Sequence, residues 1–69
     1  MTQQERILQY MDENGSISPM EAFFELGITK LATRISEMIR DGEKIEKQEV
    51  KVRNRYGEMV HFMRYRRAV

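Results

Sequence analysis

Apolar residues follow a helical repeat up to Gly42 and an alternating repeat after it, and this change constrains the fold more than any other feature. The last helical stripe starts at Leu31 and recurs at i+4, i+7 and i+8, the pattern of an amphipathic helix. Beyond Gly42, Val50 and Val52 alternate with charged residues, as in a strand with one solvated face. We therefore expect an α+β chain whose helices precede its strands.

Two capping boxes mark where the first two helices begin. Thr2 with Glu5, and Ser18 with Glu21, have the spacing at which each side chain satisfies the other residue's free backbone N–H. Pro19 then occupies a first helical position, where its missing N–H has no cost.

Glycines mark where these helices end. Gly15 is expected to end a first helix over about residues 3–14, and Gly27 to end a second helix after two turns. Thr29 is expected to cap the third helix. Ile17, in the short link between the first two helices, is expected to point inward and to form a strand of one or two residues.

The C-terminal part of the chain is expected to form a β-hairpin. Ile45 begins its first strand, residues 54–57 have turn chemistry, and Met59–Tyr65 form the returning strand. Loops of two, three or four residues all fit, so the register stays open. The alternation places two apolar pairs side by side, Val50 and Val52 with Val60 and Phe62.

Sixty-nine residues suffice for one domain and not for two, so residues 1–69 are expected to form a single domain. Met11, Met20 and Met38 are expected in its interior, whereas Met59 and Met63 are candidates for a partner surface. The expected core comprises Ile7, Leu8, Met11, Ile17, Phe23, Leu26, Leu31, Ile35 and Ile39.

Charge is distributed unevenly along the chain. Residues 1–43 hold four basic and eight acidic side chains, whereas residues 44–69 hold eight basic and three acidic ones. A basic C-terminal third indicates a polyanionic partner for that part of the chain. A solvated charged hairpin is the alternative interpretation.

The segment from Pro19 to Ile39 has the order of a helix-turn-helix: a short helix, a turn containing Gly27, and a longer amphipathic helix. In this motif the second helix enters the DNA major groove and presents its outward face to base edges. Arginine and lysine donate to guanine, threonine contacts bases or phosphates, and glutamate accepts from cytosine. An ordinary solvated helix face is the alternative. The outward residues are Lys30, Thr33, Arg34 and Glu37, with Arg40 at the end.

The hairpin tip supplies a second candidate contact, because basic side chains with one aromatic residue suit phosphates or a minor-groove edge. Hairpin tips are generally polar, which is the alternative explanation. Three further arginines, Arg64, Arg66 and Arg67, either reach the DNA backbone or only solubilise the tail. The tip residues are Lys51, Arg53, Asn54, Arg55 and Tyr56.

The stretches G-S-I-S-P-M-E-A and E-L-G-I-T-K-L-A-T-R-I-S-E-M-I-R-D-G, with the tail H-F-M-R-Y-R-R, resemble a family of small phage- and prophage-encoded winged helix-turn-helix proteins. The resemblance covers most of the chain. It implies a DNA-binding winged helix-turn-helix fold, three helices plus a two-stranded wing, in a mobile-element setting. Its recognition-helix positions correspond to Thr29, Lys30, Thr33 and Arg34.

These observations predict a double-stranded DNA-binding protein of phage type, acting as a transcriptional regulator or a recombination or packaging accessory. The alternative is a winged-helix module that binds a host or phage protein. A second copy or a protein partner stays open, since one recognition helix covers only a short half-site.

Other functional classes have little support in the sequence. His61 is the only histidine and there is no cysteine, so no metal site is expected. The glycines punctuate element ends instead of forming a phosphate-binding loop, and no catalytic triad is indicated. We expect no enzymatic activity, cofactor or small-molecule substrate. No apolar run suits a membrane or signal peptide, so the expected location is the cytoplasm. The resemblance to phage-encoded proteins implies that this is the cytoplasm of a bacterial host.

Overall fold

A computed structural model describes residues 1–68 of the chain; Val69, the last residue of the predicted single domain, lies outside the described part. Three helices precede a two-stranded antiparallel hairpin, which confirms the predicted α+β winged helix-turn-helix architecture. The extent of the domain stays a prediction. The elements are α1 (Gln3–Asn14), α2 (Pro19–Leu26), α3 (Leu31–Arg40), β1 (Ile45–Arg53) and β2 (Met59–Arg67).

Both predicted capping boxes are present. The Glu5 N–H donates to Thr2 Oγ1 at 3.1 Å, and the Glu21 N–H donates to Ser18 Oγ at 3.3 Å. In the second box, the Ser18 N–H donates back to Glu21 Oε1 at 2.9 Å. Ser18 is buried, so this cap also satisfies polar groups that water does not reach. Each such cap stabilises its helix by about 1 kcal/mol.

The turn between α2 and α3 is fixed by Gly27 and Ile28. Gly27 has φ +69°, a left-handed conformation that disfavours any side chain with a Cβ. The Ile28 N–H donates to the Ala22 carbonyl at 3.0 Å, and the Ile28 side chain is buried beneath the turn. These contacts hold the two helices in the arrangement of a helix-turn-helix.

The predicted cap of α3 at Thr29 is wrong. The residue that precedes the helix is Lys30, with φ −121° and ψ 59°, and it makes no side-chain capping bond. A lysine ammonium has no acceptor for a backbone N–H, so this helix begins without the capping box that starts α1 and α2.

The hairpin register pairs Val50 with Phe62 and Val52 with Val60, which confirms the expected apolar pairs. The Asn54 N–H donates to the Glu58 carbonyl at 2.9 Å, leaving a three-residue loop. This length is one of the three that the sequence allowed.

A one-residue strand at Ile17 joins the hairpin to the helices. Ile17 and Tyr65 exchange two backbone hydrogen bonds of 2.8 and 2.9 Å, so β2 is paired on both edges at this point. The predicted short strand is therefore confirmed. This pairing accompanies an extension of β2 to Arg67, two residues beyond the predicted end.

The core differs from the predicted one in which faces of α2 and α3 point inward. Phe23 and Met20 were expected inside but are 52% and 65% exposed, and Ile39 is 39% exposed. On α2 the inward face is set by Ala22, whose small side chain permits close approach to the other helices. Leu8 and Leu26 pack at the margin of the core. The buried apolar residues are Ile7, Met11, Ile17, Ala22, Ile28, Leu31, Ile35, Met38 and Tyr65.

Candidate nucleic-acid interface

The outward face of α3 is available to a ligand. The residues Leu31, Ile35 and Met38 bury the opposite face, recurring at i, i+4 and i+7. Thr29, just before the helix, is exposed; Lys30 and Thr33 are exposed as well. The residues proposed for base contact therefore lie on the solvent side of the second helix of the helix-turn-helix.

Arg34 and Glu37 form an ion pair on this face. Arg34 Nη1 donates to Glu37 Oε1 at 2.7 Å across one helical turn, and both side chains are about one-third exposed. Exposed pairs of this spacing stabilise a helix by about 0.5 kcal/mol at most, so the pair has little value for stability. Its consequence is geometric, because Glu37 restrains the direction of the Arg34 guanidinium.

Arg34 also adjoins the start of α1. Its side chain lines a shallow depression together with Thr2, Gln3 and Gln4. No local sequence pattern indicates that these two glutamines lie beside Arg34, since they belong to a helix more than twenty residues away in the chain. Their amide groups extend the polar surface beside α3.

The hairpin tip is organised by Asn54 and Arg53. Asn54 Oδ1 accepts hydrogen bonds from the N–H groups of Tyr56 and Glu58, at 2.9 and 3.1 Å. Arg53 Nη1 donates to the Gly57 carbonyl at 3.0 Å. Asn54 therefore has a structural task in the turn besides any contact with a ligand.

Cationic side chains at the tip remain available for a polyanion. Lys51, Arg53 and Arg55 are all exposed, and none of them forms an ion pair with a carboxylate of residues 1–68. Tyr56 is 77% exposed beside them. No hydrogen bond or ion pair within the same range joins this tip group to the α3 group, so the predicted site residues form two separate clusters.

The two faces of the hairpin differ in chemistry. Directly paired residues share a face, and successive residues alternate between faces. Lys51 and Arg53 therefore lie on the face that carries the buried Tyr65, whereas Val52 and Val60 lie on the other. We call these the basic face and the apolar face of the hairpin.

The three arginines near the C-terminus bind carboxylates of the chain itself. Arg66 Nε lies 2.7 Å from Glu46 Oε2 on the neighbouring strand. Arg67 contacts Asp12 of α1 at 3.0 Å and Glu43 at 3.7 Å. These arginines therefore tie strands and helices together, a role that neither sequence interpretation included.

Arg64 makes the most enclosed of these contacts. Its Nη1 donates to Ser16 Oγ at 2.8 Å and to Glu21 Oε1 at 3.0 Å, and the guanidinium lies over the Phe62 ring. Burial raises the pKa of the Glu21 carboxyl, but hydrogen bonds from Arg64 and Ser18 outweigh it, so the pKa lies below its ordinary value. Arg64 thereby links β2 to the capping box of α2.

Other candidate chemistry is sparse. His61 Nδ1 lies 2.8 Å from Glu49 Oε1 on the hairpin surface, where both side chains are about half exposed. Within the part of the chain that is described, no three acidic or histidine side chains gather as metal ligands. Of the three helices, none has the length and apolar character needed to cross a membrane.

Comparison with known proteins agrees with this geometry. The family described as winged helix-turn-helix domain matches residues 2–66, nearly the whole chain. No curated protein and no solved structure matches the chain. The helix-turn-helix formed by α2 and α3, followed by the hairpin as its wing, is the arrangement that this description names. The chain belongs to the winged helix-turn-helix domain family.

Proposed function

We propose that this chain binds double-stranded DNA, with α3 in the major groove and the hairpin against the phosphate backbone or the minor groove. The observation that carries the proposal is the outward face of α3, where Lys30, Thr33 and the Arg34–Glu37 pair are open to solvent. The family suggests the same class of partner. In helix-turn-helix proteins this face makes the base contacts.

Arg34 is the residue we expect to contribute most to specificity. An arginine has five N–H donors, and the contact with Glu37 engages Nη1. The remaining donors are available for the O6 and N7 acceptors of a guanine. Glu37 restrains the Arg34 side chain before binding, which lowers the conformational entropy lost in the complex.

The wing is proposed to contribute affinity more than specificity. Lys51, Arg53 and Arg55 lack carboxylate partners among residues 1–68, so phosphate contacts would not compete with existing ion pairs there. Such contacts release counterions and depend strongly on salt, but they are insensitive to base sequence. Tyr56, at the end of the tip, would reach the backbone or the minor-groove edge.

The proposed setting is a phage or prophage protein in the cytoplasm of a bacterial host. It rests on the resemblance of the segments around Pro19 and Thr29 to small phage-encoded proteins of this fold. The proposed task is transcriptional regulation, or an accessory role in recombination or packaging. A regulator and an accessory protein each need DNA binding but no catalytic step of their own, so we propose no enzymatic activity.

The test is a titration of the full chain with a duplex selected from a randomised library and with random duplex, each at two salt concentrations. Arg34→Ala is expected to weaken the selected duplex by about 5- to 150-fold more than random DNA, because a bidentate base contact contributes about 1–3 kcal/mol of discrimination. Arg6→Ala removes the same charge from exposed α1 and serves as control.

Two outcomes of this titration contradict the proposed role of α3. Equal losses on both duplexes would assign Arg34 to a phosphate, and no loss on either would remove α3 from the interface. A parent protein that binds no duplex at low salt would contradict DNA binding itself. The alternative, a module that binds a host or phage protein, would then be favoured, and the exposure of Met20 and Phe24 on α2 supports it.

A further inference from the structure

The basic face of the hairpin carries a titratable pair among its cations. The strand register sets His61 directly opposite Lys51, so the imidazole lies on the face that also carries Arg53. On this face, Glu49 Oε1 lies 2.8 Å from His61 Nδ1. Both side chains of the pair are about half exposed, which leaves them open to a ligand. The pair therefore lies within the surface that we propose to contact DNA phosphates.

The hydrogen bond with Glu49 determines what the second ring nitrogen of His61 can do. An ionised carboxylate only accepts hydrogen bonds, so Nδ1 carries the hydrogen of the 2.8 Å contact. In the neutral imidazole Nε2 is then an acceptor, and a phosphate oxygen, which is also an acceptor, cannot bind to it. In the protonated imidazole Nε2 gains a hydrogen and becomes a donor. Only the protonated ring can therefore bind a phosphate while it keeps its hydrogen bond to Glu49.

Glu49 is the only acidic residue that β1 places on the basic face. Lys47, Lys51 and Arg53 share this face and form no ion pair with a carboxylate of residues 1–68. While His61 is neutral, the negative charge of Glu49 stands uncompensated among these cations and repels a phosphate. Protonation of His61 places a positive charge beside Glu49 and raises the net charge of the face by one.

The other neighbours of His61 do not compete for its charge. Met59 and Met63, two residues before and after it on the same face of β2, are uncharged. Helices α1 and α2 pack against β2, and the carboxylates through which they contact this strand are each paired with an arginine. These pairs, both 3.0 Å long, are Asp12 with Arg67 and Glu21 with Arg64.

We propose that His61 is a fourth phosphate-binding side chain of the hairpin and that it takes up a proton when the chain binds double-stranded DNA. The inference rests on the proposed contact between the hairpin and DNA. The proton comes from solvent and binds Nε2, and no other covalent bond changes. Imidazole is the side chain that ordinarily changes charge between pH 5 and 8, so the affinity for DNA should rise as pH falls through this range.

The expected size of the effect is that of one phosphate contact. Such a contact raises the binding constant by about 15-fold at 0.05 M salt and by about fourfold at 0.2 M. An imidazole with the ordinary midpoint of about pH 6.5 is about 3% charged at pH 8 and about 90% charged at pH 5.5. Affinity for duplex should therefore rise between these pH values by about tenfold at 0.05 M salt and by about three- to fourfold at 0.2 M.

The test measures the Kd of the full chain for random duplex by fluorescence anisotropy at pH 5.5 and pH 8. His61→Gln keeps a hydrogen-bonding side chain but cannot gain charge, whereas His61→Lys is charged throughout. His61 is the only histidine, so His61→Gln retains every other group that titrates in this range. The matched control adds Val60→His to His61→Gln, which moves the imidazole by one residue to the apolar face. Circular dichroism melts at both pH values establish that each variant is folded.

In 0.05 M salt the parent chain should bind about tenfold more tightly at pH 5.5 than at pH 8. His61→Gln and the control with Val60→His should change little, and His61→Lys should bind at both pH values about as tightly as the parent does at pH 5.5. Parent affinity that does not change with pH would overturn this inference and leave DNA binding intact. A change that His61→Gln retains, or that Val60→His restores, would overturn it equally. A parent chain that binds no duplex at either pH would overturn the proposed function as well.

Discussion

Replacement of Arg53 and Arg55 by alanine tests whether the hairpin tip contacts DNA phosphates. Both side chains are exposed, and neither pairs with a carboxylate of residues 1–68. Each phosphate that an arginine neutralises contributes about −0.9 to the slope of log K against log salt concentration. If each arginine contacts one phosphate, the slope of the double variant should be less negative by about 1.8.

The same relation gives the loss in affinity. One lost phosphate contact lowers the binding constant by about 15-fold at 0.05 M salt and by about fourfold at 0.2 M. The double variant should therefore bind about 200-fold more weakly at the lower concentration and about 20-fold more weakly at the higher one. Selected and random duplexes should lose the same factor, because phosphates carry no base sequence.

The assay is a series of binding isotherms across salt concentrations, with a matched pair of single variants. Arg55→Ala removes a positive charge that forms no ion pair with a carboxylate of residues 1–68. Arg66→Ala removes a positive charge that is paired with Glu46 at 2.7 Å. The slope should change by about 0.9 in the first and little in the second. Substitutions at exposed positions usually change the free energy of unfolding by about 0.5 kcal/mol or less. Because Arg53→Ala also removes the hydrogen bond to the Gly57 carbonyl, thermal melts of the double variant check that it is still folded.

An unchanged slope in the folded double variant would exclude the tip from phosphate contact. A slope that changes equally in Arg55→Ala and Arg66→Ala would show that net charge, and not the position of the tip, determines the salt dependence. Either result would refute the reasoning that links the unpaired cations of the hairpin to DNA.

Three further predictions concern stability. Ile35→Ala empties a fully buried site and should lower the free energy of unfolding by about 2–5 kcal/mol, from a total of about 3–10 kcal/mol. Ile39→Ala, at a 39% exposed site, should lower it by less than about 1 kcal/mol. Urea denaturation measures both losses, and equal losses would contradict the assigned core. The folded-state pKa of Glu21 is depressed, so its contribution to stability is complete above the ordinary carboxyl pKa of about 4.3 and is lost as pH falls through the lower folded value. As the pH is lowered from neutral to below the folded-state pKa of Glu21, the melting temperature should fall less in Arg64→Ala than in the parent chain. Equal falls in melting temperature would refute the stabilising link between Glu21 and Arg64. Asn54→Ala leaves two N–H groups of the turn without their side-chain acceptor and should lower the melting temperature by an amount equivalent to about 1 kcal/mol; an unchanged melt would remove the turn from the determinants of stability.

The order of the elements and most of their bounds could be predicted because their signals are local. The capping pair of Thr2 with Glu5 spans three residues, and the change of period after Gly42 is visible within a few more. Register followed as soon as the loop length was known, since the pairing of Val52 with Val60 is the arrangement that puts apolar residues together. The caps and the change of period are decided by neighbours in sequence, whereas the register also required the loop length.

The buried face of α2 could not be predicted in the same way. Its sequence PMEAFFEL is apolar around most of the helix, so a stripe cannot be distinguished by period alone. Volume decides instead: Ala22 permits close packing, while the bulky Phe23 and Phe24 remain outside. Ile39 lies one residue beyond Met38, at the margin of the buried stripe of α3, where the rest of this small domain does not cover its side chain.

In the candidate site, too, contacts between residues close in sequence could be predicted and contacts between distant residues could not. Arg34 and Glu37 meet because they are three residues apart on a helix, and their shared face follows from the sequence. The partner of Arg67 is Asp12, 55 residues away, and no local pattern indicates such a contact. Whether a basic residue is free for a ligand thus depends on the tertiary structure.

Because tertiary contacts decide which basic residues are free, they change the interpretation of the positive charge in the C-terminal third of the chain. Its positive charge suggested a polyanionic partner, with the role of three arginines left open, but Arg64, Arg66 and Arg67 are each held by carboxylates of the chain. The charge that remains for a partner is concentrated on β1, on the segment just before it, and at the tip, at Lys44, Lys47, Lys51, Arg53 and Arg55. Alternation along β1 separates Lys51 and Arg53 from Val52, so one strand can present cations to DNA and apolar side chains to a protein. A substitution on one face should therefore leave the chemistry of the other face intact, so the proposed DNA contact of Lys51 and Arg53 can be tested without changing the apolar side chains of the hairpin.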